Sequence, residues 1–281
     1  MRKIVTLIIC LSFYTLQAQY WEVGATGGVS SSINDLQPNS PNNGSFGPTY
    51  GALARLHYSP KLSFKATGLV GRFYATDRYA KGLRRLRNLE AQTSYYELAA
   101  TAEFNLTSYD VIDNKNSSPY LFAGVAGFYF NPRARLNFNE KTWTNLQPLG
   151  TEGQTLEGGK KPYSRLQIAI PFGVGFKIAI HKRINWGFEA GLRYTFTDYL
   201  DDVSGNYPDL AALTIKDPSA AALSFRSPAL MNSQLELPSG QKRGDNYKND
   251  LYYYIGTTLT VNLASEAKME FNENLRNFWK K

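Results

Sequence analysis

Three aspartates near residue 200 are close enough in sequence to bind one cation together. They are Asp198, Asp201 and Asp202. The surrounding segment, 197–209, is rich in turn residues whose carbonyl oxygens could complete the roughly six to eight oxygen ligands that Ca²⁺ takes. Its spacing matches no EF-hand loop, and aspartates in turns commonly accept hydrogen bonds from their own backbone. The three are therefore candidate calcium ligands, with structural packing of the loop as the alternative.

A second group of reactive side chains is basic. The segment 78–87 carries five positive charges among ten residues, at Arg78, Lys81, Arg84, Arg85 and Arg87. On the outer face of a cell envelope, such charges would be attracted to the phosphates of lipopolysaccharide. A solvated loop surface is the alternative.

The chain has few side chains that could carry out thiol or imidazole chemistry. The chain holds two histidines and one cysteine, so a Cys/His zinc site or a Cys-His nucleophile pair is not expected. Cys10 also belongs to an N-terminal segment with the three parts of a secretory signal peptide, residues 1–18. Arg2 and Lys3 provide its basic start, residues 4–16 its apolar run, and Ala18 a small residue at the cleavage site. The mature chain then has no cysteine, and we expect no cofactor.

Composition excludes several classes of protein. Hydrophobic residues make up 43% of the 281 residues, which is too many for a disordered chain, and charged residues 19%. Mean hydropathy is −0.36 and the only long apolar run is at the N-terminus, whereas a helical membrane protein needs about 20 apolar residues for each span. Signal removal lowers the formal net charge from +8 to +6. We expect no nucleic-acid partner for an exported protein of this modest charge.

Strict period-two alternation indicates long strands. In the segment 93–106, Tyr96, Leu98 and Phe104 alternate with polar positions such as Glu97 and Glu103. The segments 184–196 and 251–263 repeat the pattern. Each is longer than an ordinary strand and long enough for the roughly 9–11 residues with which a tilted strand crosses a bilayer. Aromatic residues near the ends of the apolar faces predict interfacial girdles, so we assign the aromatics mainly to the lipid face.

Weaker alternation adds five strands to these three, at 20–31, 49–58, 62–74, 120–130 and 163–180. Eight is an even number, as closed bacterial barrels require. The connections after strands one, three, five and seven are long and the others short, which is the asymmetry between outer loops and periplasmic turns. We predict an all-β, eight-stranded antiparallel outer-membrane barrel over residues 19–264. Alternating patches at 210–215 and 220–226 leave open a further hairpin within 197–249.

Inward positions of the predicted strands carry a nearly balanced set of charges: Arg55, Lys65, Glu97, Glu103, Lys177, Glu189 and Arg193. Eight strands enclose an interior just wide enough for side chains to fill. We therefore predict a lumen closed by paired charges, the alternative being that some of these residues lie at the rims. His57 and His181 fall at the periplasmic side, away from any outer-leaflet substrate, so we predict that the protein is not an enzyme.

The last segment, 265–281, has apolar residues at the spacing of one helix face: Phe271, Leu275, Phe278 and Trp279. In the periplasm this amphipathic segment would be a docking element for a partner protein. It would equally fit against the barrel mouth or the membrane surface.

Several strings resemble the PorG-like outer-membrane β-barrel family: PYLFAGVAGF at 119–128 with NP at 131–132, LGTEGQ at 149–154, IPFGVG at 170–175 and TFTDYLDDVS at 195–204. The resemblance implies a component of the type IX secretion system that associates with a periplasmic ring made of a lipoprotein and its partner. It implies no catalytic residues.

Together these observations predict a structural or assembly component of that system, located in the outer membrane among lipid and lipopolysaccharide. A surface-exposed binding or envelope-integrity barrel that uses its long loops is the alternative function.

Overall fold

Alternating side chains form long strands in the computed structural model, which describes residues 20–38, 44–111, 116–181, 183–227 and 239–264. The strands are β1 Tyr20–Ile33, β2 Gly47–His57, β3 Leu62–Thr76, β4 Glu90–Asn105, β5 Ser117–Ala134, β6 Thr144–Asn145, β7 Leu166–Ala179, β8 Ile184–Thr195 and β9 Leu251–Asn262. A 3₁₀ turn covers Asp77–Tyr79, and three short helices follow: α1 Leu83–Arg87, α2 Leu210–Lys216 and α3 Pro218–Ser224. The predicted signal peptide and the predicted docking segment 265–281 lie outside the described residues.

All long strands pair antiparallel with both neighbours. The order is β4-β3-β2-β1-β9-β8-β7-β5, and pairing of β4 with β5 closes the ring. The two-residue strand β6 only extends β5 at the loop end. Closure gives every wall strand hydrogen-bonding neighbours on both sides, as a barrel in lipid requires. The predicted eight-stranded antiparallel barrel is confirmed.

The outer face of the wall is apolar. Leu98 is 70% exposed and Val125 62% exposed, although both are at the middle of long strands. Trp21 and Trp186 lie outward near the short-turn end, and Tyr50 and Tyr194 near the long-loop end. An exposed apolar band between two aromatic girdles is the design of a transmembrane barrel. No helix in the described part of the chain is long and apolar enough to span a membrane.

The interior corrects the assignment of aromatics mainly to the lipid face. A buried cluster fills the half of the lumen nearest the long loops, with Phe73, Tyr95, Phe128, Phe130, Tyr252 and Tyr254 as its rings. The other half of the lumen contains five of the seven predicted charges, whereas Glu97 and Arg193 lie among the rings beside Tyr252 and Tyr254. Glycine makes room for large rings at specific points: a Cβ on Gly175 would lie 2.2 Å from Cζ of Tyr120.

The connection between β4 and β5, predicted as a periplasmic turn, reaches across the barrel mouth with its described residues 106–111. Tyr109 in this connection is fully buried and lies 5.4 Å, between ring centroids, from His57. Its hydroxyl donates to Asn185 Oδ1 on β8 at 3.1 Å. The lumen is therefore covered at the short-turn end as well as filled inside.

The long connection between β8 and β9 adds no strand to the sheet in its described residues, 196–227 and 239–250. The possible hairpin is replaced by α2 and α3, so that alternative is wrong within the described residues. Asp209 caps α2 by accepting from the Ala212 amide, and Asp217 caps α3, where Pro218 takes the first position. The strand preference of six alternating residues is weaker than the helix preference of an alanine-rich segment in which each helix has a good N-cap.

Candidate functional site: the charged lumen and its outer cap

Glu103 is the centre of the lumen charge network. Its carboxylate is fully buried and has three cations around it. Arg55 Nε and Lys177 Nζ each lie 2.9 Å from Oε2, and Lys65 Nζ lies 3.2 Å from Oε1. Register explains the convergence, because Lys65 stands directly opposite Thr101, two residues from Glu103, on the same inward face.

The network continues toward both ends of the lumen. Arg55 NH1 lies 2.7 Å from Glu22 Oε2, and Lys65 forms a further short ion pair with Glu189. Glu97 and Arg193 form a separate pair at 3.2 Å, and the Tyr252 hydroxyl also donates to Glu97.

All seven predicted lumen charges are buried inside the barrel, five of them in one connected set. A buried carboxylate or ammonium persists only when it is paired, and here each one has an opposite charge within reach.

Sequence reasoning missed the residues that seal the short-turn end. Glu22 was not singled out because the glycine and serine content of β1 weakens its alternation, although Glu22 does fall on the inward period. His57 Nε2 lies 2.7 Å from Glu22 Oε1, and Ser63 Oγ lies 3.0 Å from His57 Nδ1. Tyr20 stacks on the imidazole at 4.4 Å.

Serine, histidine and glutamate here have the composition of a hydrolytic triad, but the geometry directs them inward. Ser63, His57 and Glu22 are all at most 1% exposed, and Tyr109 covers them. The serine hydroxyl therefore has no path to a substrate as the group stands. Its evident role is to hold β1, β2 and β3 together at the barrel floor.

At the opposite end, the long connections fold over the mouth as a cap, which we define as residues 34–38, 77–89, 146–163 and 197–250 where described. Glu152 is its central residue. Its carboxylate accepts from the backbone amides of Ser204 at 2.9 Å and Gly205 at 3.1 Å. Arg243 NH1 lies 2.9 Å from the same carboxylate. Two strings of the PorG-like resemblance, 149–154 and 195–204, therefore meet in one packed unit.

The three candidate calcium ligands belong to this unit. Asp201 accepts from the Leu36 amide at 2.9 Å and the Val203 amide at 3.0 Å. Asp202 accepts from the hydroxyls of Thr151 and Tyr163.

Asp198 differs from them because its Oδ2 is buried with no partner among the described residues. Within those residues, no group of three or more His, Cys, Asp or Glu side chains is arranged to hold a metal. Calcium binding stays a prediction.

Carboxyl groups of the cap are hard to ionise. Burial raises the pKa of Asp198 to about 8, with further contributions from Asp35 and Glu152. Burial likewise raises the pKa of Asp202 to about 6, although Arg243 acts in the opposite direction. The pKa of Asp250 is raised well above its usual value by burial, and then by its neighbouring carboxylates. The cap therefore contains more buried carboxyl groups than its three buried arginines, Arg87, Arg226 and Arg243, can neutralise.

The basic segment is divided between the two sides of the cap. Arg87 is buried and forms a bidentate pair with Asp77, at 2.7 and 2.9 Å. It also donates to the backbone carbonyl of Asp35 at 3.1 Å. Arg78 and Arg85 remain exposed at the rim. Only part of the segment is therefore available to an anionic surface.

Comparison with known proteins gives the family. Residues 1–217 match the model described as Domain of unknown function (DUF6089). The chain belongs to the DUF6089 family. No curated protein matches this DUF6089 chain. Because the family description states no activity, the PorG-like resemblance and the link to type IX secretion stay predictions.

Solved structures similar to the DUF6089 chain are small outer-membrane proteins. Neisserial surface protein A is 12% identical, with 86% of this chain and 96% of that chain covered and a TM-score of 0.43. OprG from Pseudomonas aeruginosa is 9% identical, with coverage of 88% and 97% and a TM-score of 0.39. The attachment invasion locus protein of Yersinia pestis is 8% identical, with coverage of 87% and 97% and a TM-score of 0.36.

Proposed function

We propose that this chain is a non-enzymatic outer-membrane barrel that acts as a structural or assembly component of the type IX protein secretion system. It reaches the outer membrane through the signal peptide at 1–18 and lies there among lipid and lipopolysaccharide. The apolar band and aromatic girdles support the location. The strings at 149–154 and 195–204 support the system, because they resemble the PorG-like family and also form the centre of the cap.

The filled lumen is the observation that carries a scaffold role. A pore needs a hydrated path, whereas here charges pair across one half of the lumen and aromatic rings pack in the other half. Tyr109 then covers the short-turn mouth. A wall held by such contacts is rigid, which suits a protein that anchors others and passes nothing through itself.

The partners would be the periplasmic ring proteins, a lipoprotein and its associate. We propose that they contact the short turns and the segment 265–281, with Phe271, Leu275, Phe278 and Trp279 as the apolar contacts. Co-purification of the tagged full chain from detergent extracts tests this, beside a variant that lacks 265–281. We expect ring proteins with the full chain and a large loss with the deletion.

Both proteins should shift mobility on heating in gel electrophoresis, as folded barrels do, so that a folding defect is recognised. Equal recovery of ring proteins with both would contradict docking by the tail. Absence of ring proteins from the full chain as well would contradict the type IX role.

A second candidate is a surface binding or envelope-integrity barrel. The ordered cap favours it, because a cap with a buried Glu152–Arg243 pair at 2.9 Å presents a defined surface instead of flexible loops. This function predicts that deletion of 265–281 leaves surface binding or envelope integrity intact. Replacement of the exposed cap residues would abolish that binding or integrity.

A further inference from the structure

A cavity of about 320 Å³ opens beside the cap, at the long-loop end of the barrel. It lies among the ends of β1, β3 and β5, the start of β4, and the connections that follow them. Small-ligand pockets begin at about this volume. One or two sugar rings fit such a space, whereas a folded partner does not.

Aromatic side chains form much of the lining. Tyr74, Tyr79, Phe138 and Trp143 all border the cavity, and Tyr79 is largely exposed. The rings of Tyr74 and Trp143 are 6.5 Å apart at an interplanar angle of 56°. Two tilted rings at that separation provide apolar faces of different orientation. The C–H face of a pyranose packs on such rings, because its weakly positive hydrogens meet the negative π-face.

Polar groups accompany the rings. Gln37 lines the cavity and is 2% exposed, and its Nε2 donates to the Ser32 carbonyl at 3.1 Å. Its Oε1 is buried and has no hydrogen-bond partner in the described part of the chain. An unpaired buried acceptor is costly, so a ligand hydroxyl that donates to it gains affinity.

The charge of the lining is positive. Arg135 forms a bidentate pair with Glu90, at 3.1 and 2.7 Å, and its guanidinium lies 5.0 Å from the Trp143 ring centroid. Arg226 lies 3.6 Å from the same carboxylate, which is therefore fully neutralised. Arg78 borders the cavity, is exposed, and forms no ion pair within the described residues. It remains available to an anion on the ligand.

We propose that this cavity binds an acidic saccharide of one or two units. The sugar face packs on Trp143 and Tyr74, a hydroxyl donates to Gln37 Oε1, and the acidic group pairs with Arg78. A lipid chain would leave Gln37 and Arg78 without partners, and a free phosphate would leave the aromatic faces unused. The saccharide comes either from lipopolysaccharide or from a free glycan, since both present the same chemistry.

Titration calorimetry with the purified full chain in detergent tests the site. The probes are a diuronic acid, a neutral disaccharide of the same linkage, inorganic phosphate, and the deacylated glycan of lipopolysaccharide. We expect the diuronic acid to bind, the neutral disaccharide to bind more weakly, and phosphate to give no signal. Trp143→Ala should weaken binding of the acid by about tenfold. Arg78→Gln should remove the preference for acid over neutral sugar.

Tyr247→Ala is the matched control, because Tyr247 is an 88% exposed aromatic on the same side of the barrel and away from the cavity. The affinity of the Tyr247→Ala variant for the diuronic acid should equal that of the parent protein. Stronger binding of the deacylated glycan than of the diuronic acid would support lipopolysaccharide as the source, and the reverse order a free glycan. Absence of saccharide binding, equal binding by phosphate, or equal loss in Tyr247→Ala and Trp143→Ala would each overturn the proposal.

Discussion

Replacement of Glu103 by glutamine should destabilise the barrel strongly. The substitution keeps size and shape but removes the negative charge on which three cations converge, at 2.9 to 3.2 Å. Arg55 keeps Glu22 and Lys65 keeps Glu189. Lys177 keeps no carboxylate among the described residues, only the faces of Tyr120 and Tyr109.

Removal of one partner from a buried ion pair costs about 3–5 kcal/mol, because the other charge is left desolvated. We expect a loss of that size in the free energy of unfolding for Glu103→Gln. Urea unfolding in phospholipid micelles measures it, with tryptophan fluorescence as the signal, since Trp21 and Trp186 lie on the lipid face. Glu157→Gln is the matched control, because Glu157 is exposed in the cap. It should change stability by less than about 0.5 kcal/mol.

A second substitution distinguishes the cost of leaving Lys177 unpaired from a nonspecific loss of stability. Lys177→Met removes the cation that Glu103→Gln leaves unpaired, so the double variant should be more stable than the sum of the two single losses predicts. We expect a coupling of about 1–3 kcal/mol for residues in direct contact. A loss below about 1 kcal/mol in Glu103→Gln, or strict additivity in the double variant, would refute the reasoning.

Three further predictions concern the cap, the lumen and the wall. Because burial raises the pKa of Asp198 from 3.8 to about 8, the stability that its neutral form gives the cap at acid pH is lost progressively as pH rises from about 4 to about 8. Asp198→Asn should therefore gain thermal stability relative to the parent between about pH 5 and pH 9. Planar bilayers containing the protein should show no steady ion current, and a sustained conductance would disprove the closed lumen. Gly175→Ala should cost about 1–3 kcal/mol in urea unfolding because its Cβ meets Tyr120, whereas Gly68→Ala has open space and should not.

The lumen combines two kinds of filling with different consequences. Ion pairs in one half are directional and fix the register of the wall strands, since a shift by one residue would turn Glu103 and Lys65 toward lipid. Aromatic packing in the other half is less directional. Beside it, the Thr93 hydroxyl donates to the Leu200 carbonyl and so joins the wall to the cap. Loss of an ion pair should therefore affect the whole wall.

The cap depends on contacts between distant parts of the chain. Glu152 accepts from residues 204 and 205, and Asp201 accepts from Leu36. An isolated loop of this length would not hold such a shape, because the entropy of ordering it has to be offset by burial and by satisfied polar groups. The barrel rim supplies the fixed ends that make the cap possible.

The sequence by itself determined the barrel. A strand alternates its side chains with period two, and lipid tolerates only apolar groups on one face, so the pattern at Leu98 and Glu97 already assigns outside and inside. The same argument predicts inward positions for the seven lumen charges, which are buried in the structure. It failed for Glu22, where glycine and serine obscure the alternation, and for residues 210–226, where a short alternating pattern does not distinguish strand from helix.

Only the tertiary structure decided which groups meet. Glu103 pairs with Arg55, Lys65 and Lys177 because barrel closure and strand register bring the three cations, each on a different strand, to the height of its carboxylate. No local sequence pattern encodes that arrangement. The saccharide cavity likewise joins Gln37, Arg78 and Trp143 from three separate connections. Periodicity is a local property of a chain, whereas pairing across a lumen or a cap depends on how distant segments are staggered when the sheet closes.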